Sequence, residues 1–139
     1  MSEPLDTIFN KILKGEMPCH KVYEDDDFLV ILDVFPAHIG HCLVIPKIPA
    51  KDIYELDEGL AAKLFPLVQK IARIVKETTG CDGINVLQNN GIAAEQTVFY
   101  FHTHIIPRFD SDGIVMKRPT NKFTKEHFEE MAGKLSSRL

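Results

Sequence analysis

The run Thr97-Val98-Phe99-Tyr100-Phe101-His102-Thr103-His104-Ile105-Ile106-Pro107 narrows the choice of fold more than any other stretch of the chain. Aromatic, β-branched and histidine side chains fill it up to the proline, which predicts a β-strand closed by Pro107. Side chains alternate across a strand. Val98, Tyr100, His102, His104 and Ile106 then share one face, and Phe99, Phe101, Thr103 and Ile105 share the other. The second face reads as core. The first carries two imidazoles with a phenol beside them, in a mutual geometry that a loop would not give. Three readings fit the pair: a hydrogen-bonded surface pair, two ligands of a metal that needs a third ligand, or catalysis. In the last, one imidazole is nucleophile or base and the other is an acid or phosphate contact.

Composition removes several function classes. The chain has 139 residues with 45 % hydrophobic and 26 % charged side chains, which fits a single globular domain over 1–139. A net charge of -4 argues against broad binding to nucleic acid or to an anionic membrane, while leaving room for one small anionic ligand. No apolar stretch is long enough to span a bilayer. The acidic start, Met1-Ser2-Glu3-Pro4-Leu5-Asp6, lacks a signal-peptide core. Cys19, Cys42 and Cys81 are odd in number and lack metal or redox spacing, so they read as reduced, mostly buried thiols of a cytoplasmic protein.

Taken in order, Asp6 can cap a short helix with Ile8, Phe9, Ile12 and Leu13 as its apolar stripe and Gly15 as its end. Lys21-Val22-Tyr23-Glu24 and Phe28-Leu29-Val30-Ile31-Leu32 flank an acidic turn and predict a hairpin. A loop holding Pro36 and Gly40 leads to a strand over His41-Cys42-Leu43-Val44-Ile45, stopped by Pro46. Asp57 can cap a long helix that ends at Thr79-Gly80, with a kink or local break expected at Pro66. Gly83 to Gln88 reads as a strand, and the stretch from Asn89 to Gln96 as the loop that feeds the histidine run. Residues 110–121 read as irregular, and Thr124 can cap a last helix to about Leu135. His20, His38 and His127 read as solvated. The order predicts an α+β fold: an antiparallel sheet of about five strands, a long helix and short terminal helices, with the helices on one side of the sheet.

With these blocks in view the chain resembles a histidine triad (HIT) protein, nearest to the small, bacterial-like Hint branch. The family's His-φ-His-φ-His-φ-φ frame, with φ apolar, falls on Gln96-Thr97-Val98-Phe99-Tyr100-Phe101-His102-Thr103-His104-Ile105-Ile106. A second family block falls on Asp33-Val34-Phe35-Pro36 and on His41-Cys42-Leu43-Val44-Ile45-Pro46-Lys47. Ile8-Phe9 and the Asn89-Asn90-Gly91 loop match as well, so the resemblance spans roughly residues 7–109.

The resemblance implies a homodimer that binds a nucleoside monophosphate moiety and cleaves at its α-phosphorus. The substrates implied are nucleoside phosphoramidates and related adenylates. His102 matches the nucleophile that forms a nucleotidyl-histidine, which water then hydrolyses. His104 matches the histidine near the phosphate and leaving group, and His41 the one that completes the phosphate pocket. Asp33 matches the acid that holds the ribose hydroxyls. Asn89, Thr97 and Val98 match contacts near the phosphate, and Phe9, Ile31 and Val34 match apolar base and sugar contacts. No cofactor is implied. The alternatives are a non-catalytic nucleotide-binding or interaction protein of the same fold, a dinucleoside polyphosphate hydrolase, and a metal-dependent hydrolase using His102, His104 and His41.

Tyr100 departs from the frame, since it replaces the first histidine of the triad. Its phenol is expected on the His102 face, where it could still exchange a hydrogen bond in the catalytic group. Many bacterial relatives hold a structural zinc at positions that here read Thr7, Asn10, Pro49 and Tyr100, so no such zinc is expected.

Overall fold

The computed structural model describes residues 6–116 and 118–139. The N-terminal reading concerns residues that, apart from Asp6, lie outside the described ones. The elements are α1 (Ile8–Leu13), β1 (Lys21–Glu24), β2 (Phe28–Leu32), β3 (Cys42–Pro46), α2 (Glu58–Thr79), β4 (Gly83–Leu87), a short 3-10 turn (Ile92–Ala94), β5 (Thr103–Arg108) and α3 (Lys125–Ser136). The strands form one antiparallel sheet in the order β1-β2-β3-β5-β4. This is the α+β architecture read from the sequence.

The central strands are apolar on both faces because both faces are covered. Phe28, Val30, Cys42, Val44 and Ile105 pack with Leu60, Leu67, Val68, Ile71 and Val75 of α2. Leu29, Ile31, Leu43, Ile45 and Tyr100 pack with Phe9, and Ile12 and Leu13 of α1 join them. The expectation of helices on one side is therefore corrected: α2 covers one face and α1 the other. A continuous apolar run such as Phe28–Leu32 carries this information, because a half-solvated strand would alternate. α3 has no buried residue.

Local signals explain the element ends. The Asp57 side chain accepts from Leu60 N at 3.0 Å and starts α2. Gly80 closes it at φ 67° with its N–H on Lys76 O. α2 runs through Pro66 without the expected break. Ala62, whose carbonyl loses its donor there, and Pro66 both lie on the exposed side, where water can take the freed oxygen. α1 is capped by Thr7, not Asp6. Thr7 and Asn10 form a reciprocal capping box, with Thr7 N donating to Asn10 Oδ1 at 2.8 Å. Two of the positions associated with zinc in relatives thus serve here as a helix cap. Among the described residues no helix is long and apolar enough to cross a membrane.

The histidine run is only partly a strand. β5 begins at Thr103, so residues 97–102 are outside the ladder. They are held differently. Phe101 N donates to Ala50 O at 2.7 Å. The buried Gln96 amide donates to Lys51 O at 2.8 Å and Val98 O at 3.1 Å, and its carbonyl accepts from Gly91 N at 2.8 Å.

Candidate active site

The site lies on the α1 face of the sheet, where β2, β3 and β5 meet. His104 stands on β5 opposite Leu43 of β3 and Leu87 of β4. His102 precedes β5 and its Nδ1 lies 2.7 Å from Tyr100 O. A carbonyl only accepts, so His102 donates from Nδ1 and keeps a lone pair on Nε2. The Phe9 ring meets the His102 ring at 72°, with 4.9 Å between centroids, and the His104 ring lies 4.9 Å from His102 on another side.

His41 sits between Gly40 and β3. Ala37 N donates to its Nδ1 at 3.1 Å. Its Nε2 lies 2.9 Å from His104 Nδ1 and 3.5 Å from Asp33 Oδ2. Asp33 follows β2, and its other oxygen accepts from Phe35 N at 2.9 Å, which fixes the turn after the strand.

Burial sets the charge state of this group. It is the largest cause lowering the pKa of His41 and of His102 below the usual histidine value. Asp33 opposes the shift at both residues, and the hydrogen bond to the Tyr100 carbonyl opposes it at His102. His104 is pushed down to about 4, by burial first and then by its two histidine neighbours. All three imidazoles are then neutral near pH 7, so the Asp33–His41 approach is a polar contact and not an ion pair.

A cavity of about 420 Å³ opens beside these rings, within the range of small-molecule sites. Phe9, Ile31, Val34 and Val98 give it apolar wall, and Asp33, Thr97, His102 and His104 give it polar groups. These are eight of the residues singled out from the sequence. Three others stand apart. His41 is off the wall and reaches the site through His104. Asn89 is half-buried and not part of the wall. Tyr100 shares the α1 face as expected, but its phenol does not turn to the histidines: it is fully buried and donates to Pro46 O at 2.6 Å. Burial also pushes its pKa up, so it stays a neutral donor. Its contribution to His102 comes from its backbone oxygen.

Sequence reasoning missed Ile8, Ile12 and Phe35 on the wall, and the Gln96 clamp. A lone amide leading into an apolar run was the available sign of Gln96. Among the described residues, Asp33, His41 and His104 present ligand atoms within 4.8 Å of one another. This set differs from the His102, His104 and His41 set considered from sequence. It suits a cation poorly. With Ala37 N–H on Nδ1, His41 would have to bind through Nε2 as an imidazolate.

The HIT domain family model matches residues 14–111. The chain belongs to the HIT family. Its HIT relatives include proteins with named activities. Adenosine 5'-monophosphoramidase hnt1 of Schizosaccharomyces pombe is 37 % identical over 136 residues, covering 97 % of this chain and 99 % of that protein. Adenylylsulfatase HINT3 of Arabidopsis thaliana is 41 % identical over 125 residues, covering 87 % of this chain and 64 % of that one. Among solved structures, a HIT family member from Bacillus subtilis superposes with a TM-score of 0.88 at 38 % identity, covering 97 % of this chain and 98 % of that one.

Proposed function

We propose that this HIT protein is a nucleotide hydrolase or nucleotidyl transferase acting at the α-phosphate of nucleoside phosphoramidates or related adenylates. His102 Nε2 attacks phosphorus and displaces the leaving group, and water then resolves the nucleotidyl-histidine. The observation that carries this reading is the 2.7 Å contact of His102 Nδ1 with Tyr100 O, on a neutral ring that lines the cavity. It leaves a lone pair on Nε2. It also places an acceptor beside Nδ1, where positive charge grows as Nε2 bonds to phosphorus. Asp33, on the cavity wall beside the histidines, suits a vicinal diol, and Phe9, Ile31 and Val34 suit a base and sugar. Thr97 and Val98 would lie near the phosphate, with Asn89 as a loop contact. The activities named for the fission-yeast and Arabidopsis relatives support the same substrate class.

The feature that favours a binding protein without activity is the tyrosine at position 100, in place of the first triad histidine. That side chain lies in the core, and the oxygen that orients His102 is one any residue would supply. The proposal includes a cytoplasmic homodimer, for which the outer edge of β4, unpaired among the described residues, and the exposed Val86 offer a surface.

The test is turnover of adenosine phosphoramidate in the presence of a chelator. The wild type should be active and His102→Ala slower by at least about 10³-fold, the scale of losing a nucleophile. An active His102→Ala protein would exclude the mechanism, and activity abolished by the chelator would favour a metal hydrolase.

A further inference from the structure

Away from the site, α3 is a helix without a core. Every residue from 118 to 139 is exposed. The helix is nonetheless well specified. Thr124 and His127 cap its start reciprocally, and Lys125–Glu129 and Lys134–Glu130 pair along it. Phe128, Met131 and Leu135 recur at i, i+3 and i+7 and form one apolar stripe. The Phe123 ring extends it, meeting Phe128 edge-on at 6.2 Å between centroids. These four side chains are between 54 % and 64 % exposed. A stripe of this kind is what a helix turns toward a core, and a helix of 12 residues is marginal in water by itself.

Charge and position say what covers the stripe. Within α3, Lys125 and Lys134 stand against Glu126, Glu129 and Glu130, which disfavours an anionic membrane or a nucleic acid. The chain reaches α3 from the β4 side of the sheet. β5 ends at Arg108 opposite Gly83, and the Arg108 guanidinium donates to Asn85 Oδ1 at 2.7 Å and to Ile114 O at 2.8 Å. The same side of the body carries a matching surface. Lys63 pairs with Asp27 at 3.0 Å, and Lys70 Nζ lies 5.2 Å from the Tyr23 ring centroid, so that flank of α2 faces β1. Phe65 stands two residues from Lys63, about 200° around the helix, and so on the flank toward β4. It is 68 % exposed beside the exposed Ala61 and Ala62. Val86 is exposed on the same face of β4 as Ile84, which packs against the α2 core. Arg73 and Lys76 lie near this flank without an ion pair among the described residues, and they complement Glu126 of α3.

We infer that α3, together with Phe123, is an arm that packs on the α2–β4 flank of a second copy of this chain, each copy giving its arm to the other. Such an exchange is two-fold symmetric, so one contact covers both stripes and both flanks. The inference rests on the proposed homodimer and deepens it by naming a second contact besides the β4 edge. That edge is five residues long and offers a short contact. A stable interface buries about 800 Å² on each partner, and the arm and flank supply the further apolar area.

Sedimentation equilibrium on the full chain tests this with Phe128→Asp, Phe65→Asp and the double variant. Both side chains are exposed within their own protomer, so neither substitution disturbs its fold. The wild type should be a dimer, and each single variant should raise its Kd by at least about 30-fold, the scale of an aromatic anchor. The double variant should be weaker than the worse single one by less than about 10-fold, because side chains that share a contact are not additive. A monomeric wild type, or a dimer indifferent to either substitution, would overturn the inference. Fully additive losses would place the arm on another surface and overturn it as well. So would a monomer that pellets with phosphatidylglycerol vesicles, which would give the stripe to a lipid surface. Turnover of adenosine phosphoramidate is read separately. An active monomer would sink the arm and leave the His102 chemistry standing, and an inactive dimer sensitive to both substitutions would do the reverse.

Discussion

Tyr100 separates what a side chain does from what its backbone does. Its carbonyl orients His102, while its phenol fills the core and donates to Pro46 O. Tyr100→Phe removes a buried donor from the carbonyl of a fully buried strand residue. The variant should lose about 1–3 kcal/mol of stability, read as a lower denaturant midpoint, because a buried acceptor is deprived of its partner. Its turnover should stay near that of the wild type. A large fall in kcat at unchanged stability would instead place the phenol in the reaction. His102 and His104 were legible in the sequence because residues two apart on an extended chain share a face. The Ala37 amide and the Tyr100 carbonyl were not, because every residue but proline has both groups and only the fold aims them.

At the scale of elements, the histidine run shows how composition and pairing diverge. Aromatic and β-branched residues predicted a strand from Thr97, yet the ladder begins at Thr103. Pairing with β3 reaches only Val44↔Thr103, and β4 ends opposite His104, so earlier residues have no strand beside them. Their composition reports burial, which Tyr100, Phe101 and His102 all have. The backbone bonds instead go to Ala50 and Gln96. The start of β3 is set by a close approach. Gly40 adopts φ 101°, and a Cβ there would meet Thr79 Cγ2 of α2 at 2.9 Å and Pro107 Cγ at 3.7 Å. Gly40→Ala should therefore cost about 1–3 kcal/mol through backbone strain and crowding. It should also lower kcat, because His41 is the next residue. Calorimetry and turnover on one preparation would check both, and a variant with wild-type melting would show that the loop relaxes freely.

For the whole molecule, the sheet divides the labour. The α2 face buries the larger helix and carries no site histidine. The α1 face holds His102 and His104 over a thinner layer that leaves the cavity open. The α+β class and the strand order along the chain were legible from periodicity and turn residues. The side of the sheet taken by α1 was not, since six residues of amphipathic helix fit either face. The measurement that bears most directly on the central claim is mass analysis of enzyme quenched in alkali during turnover of adenosine phosphoramidate. A phosphorus–nitrogen adduct survives base and is lost in acid. The account predicts one adenylate unit on His102, stable to alkali, released by acid, and absent from His102→Ala. An adenylate found on another residue, or steady turnover with no adduct under rapid quench, would contradict it.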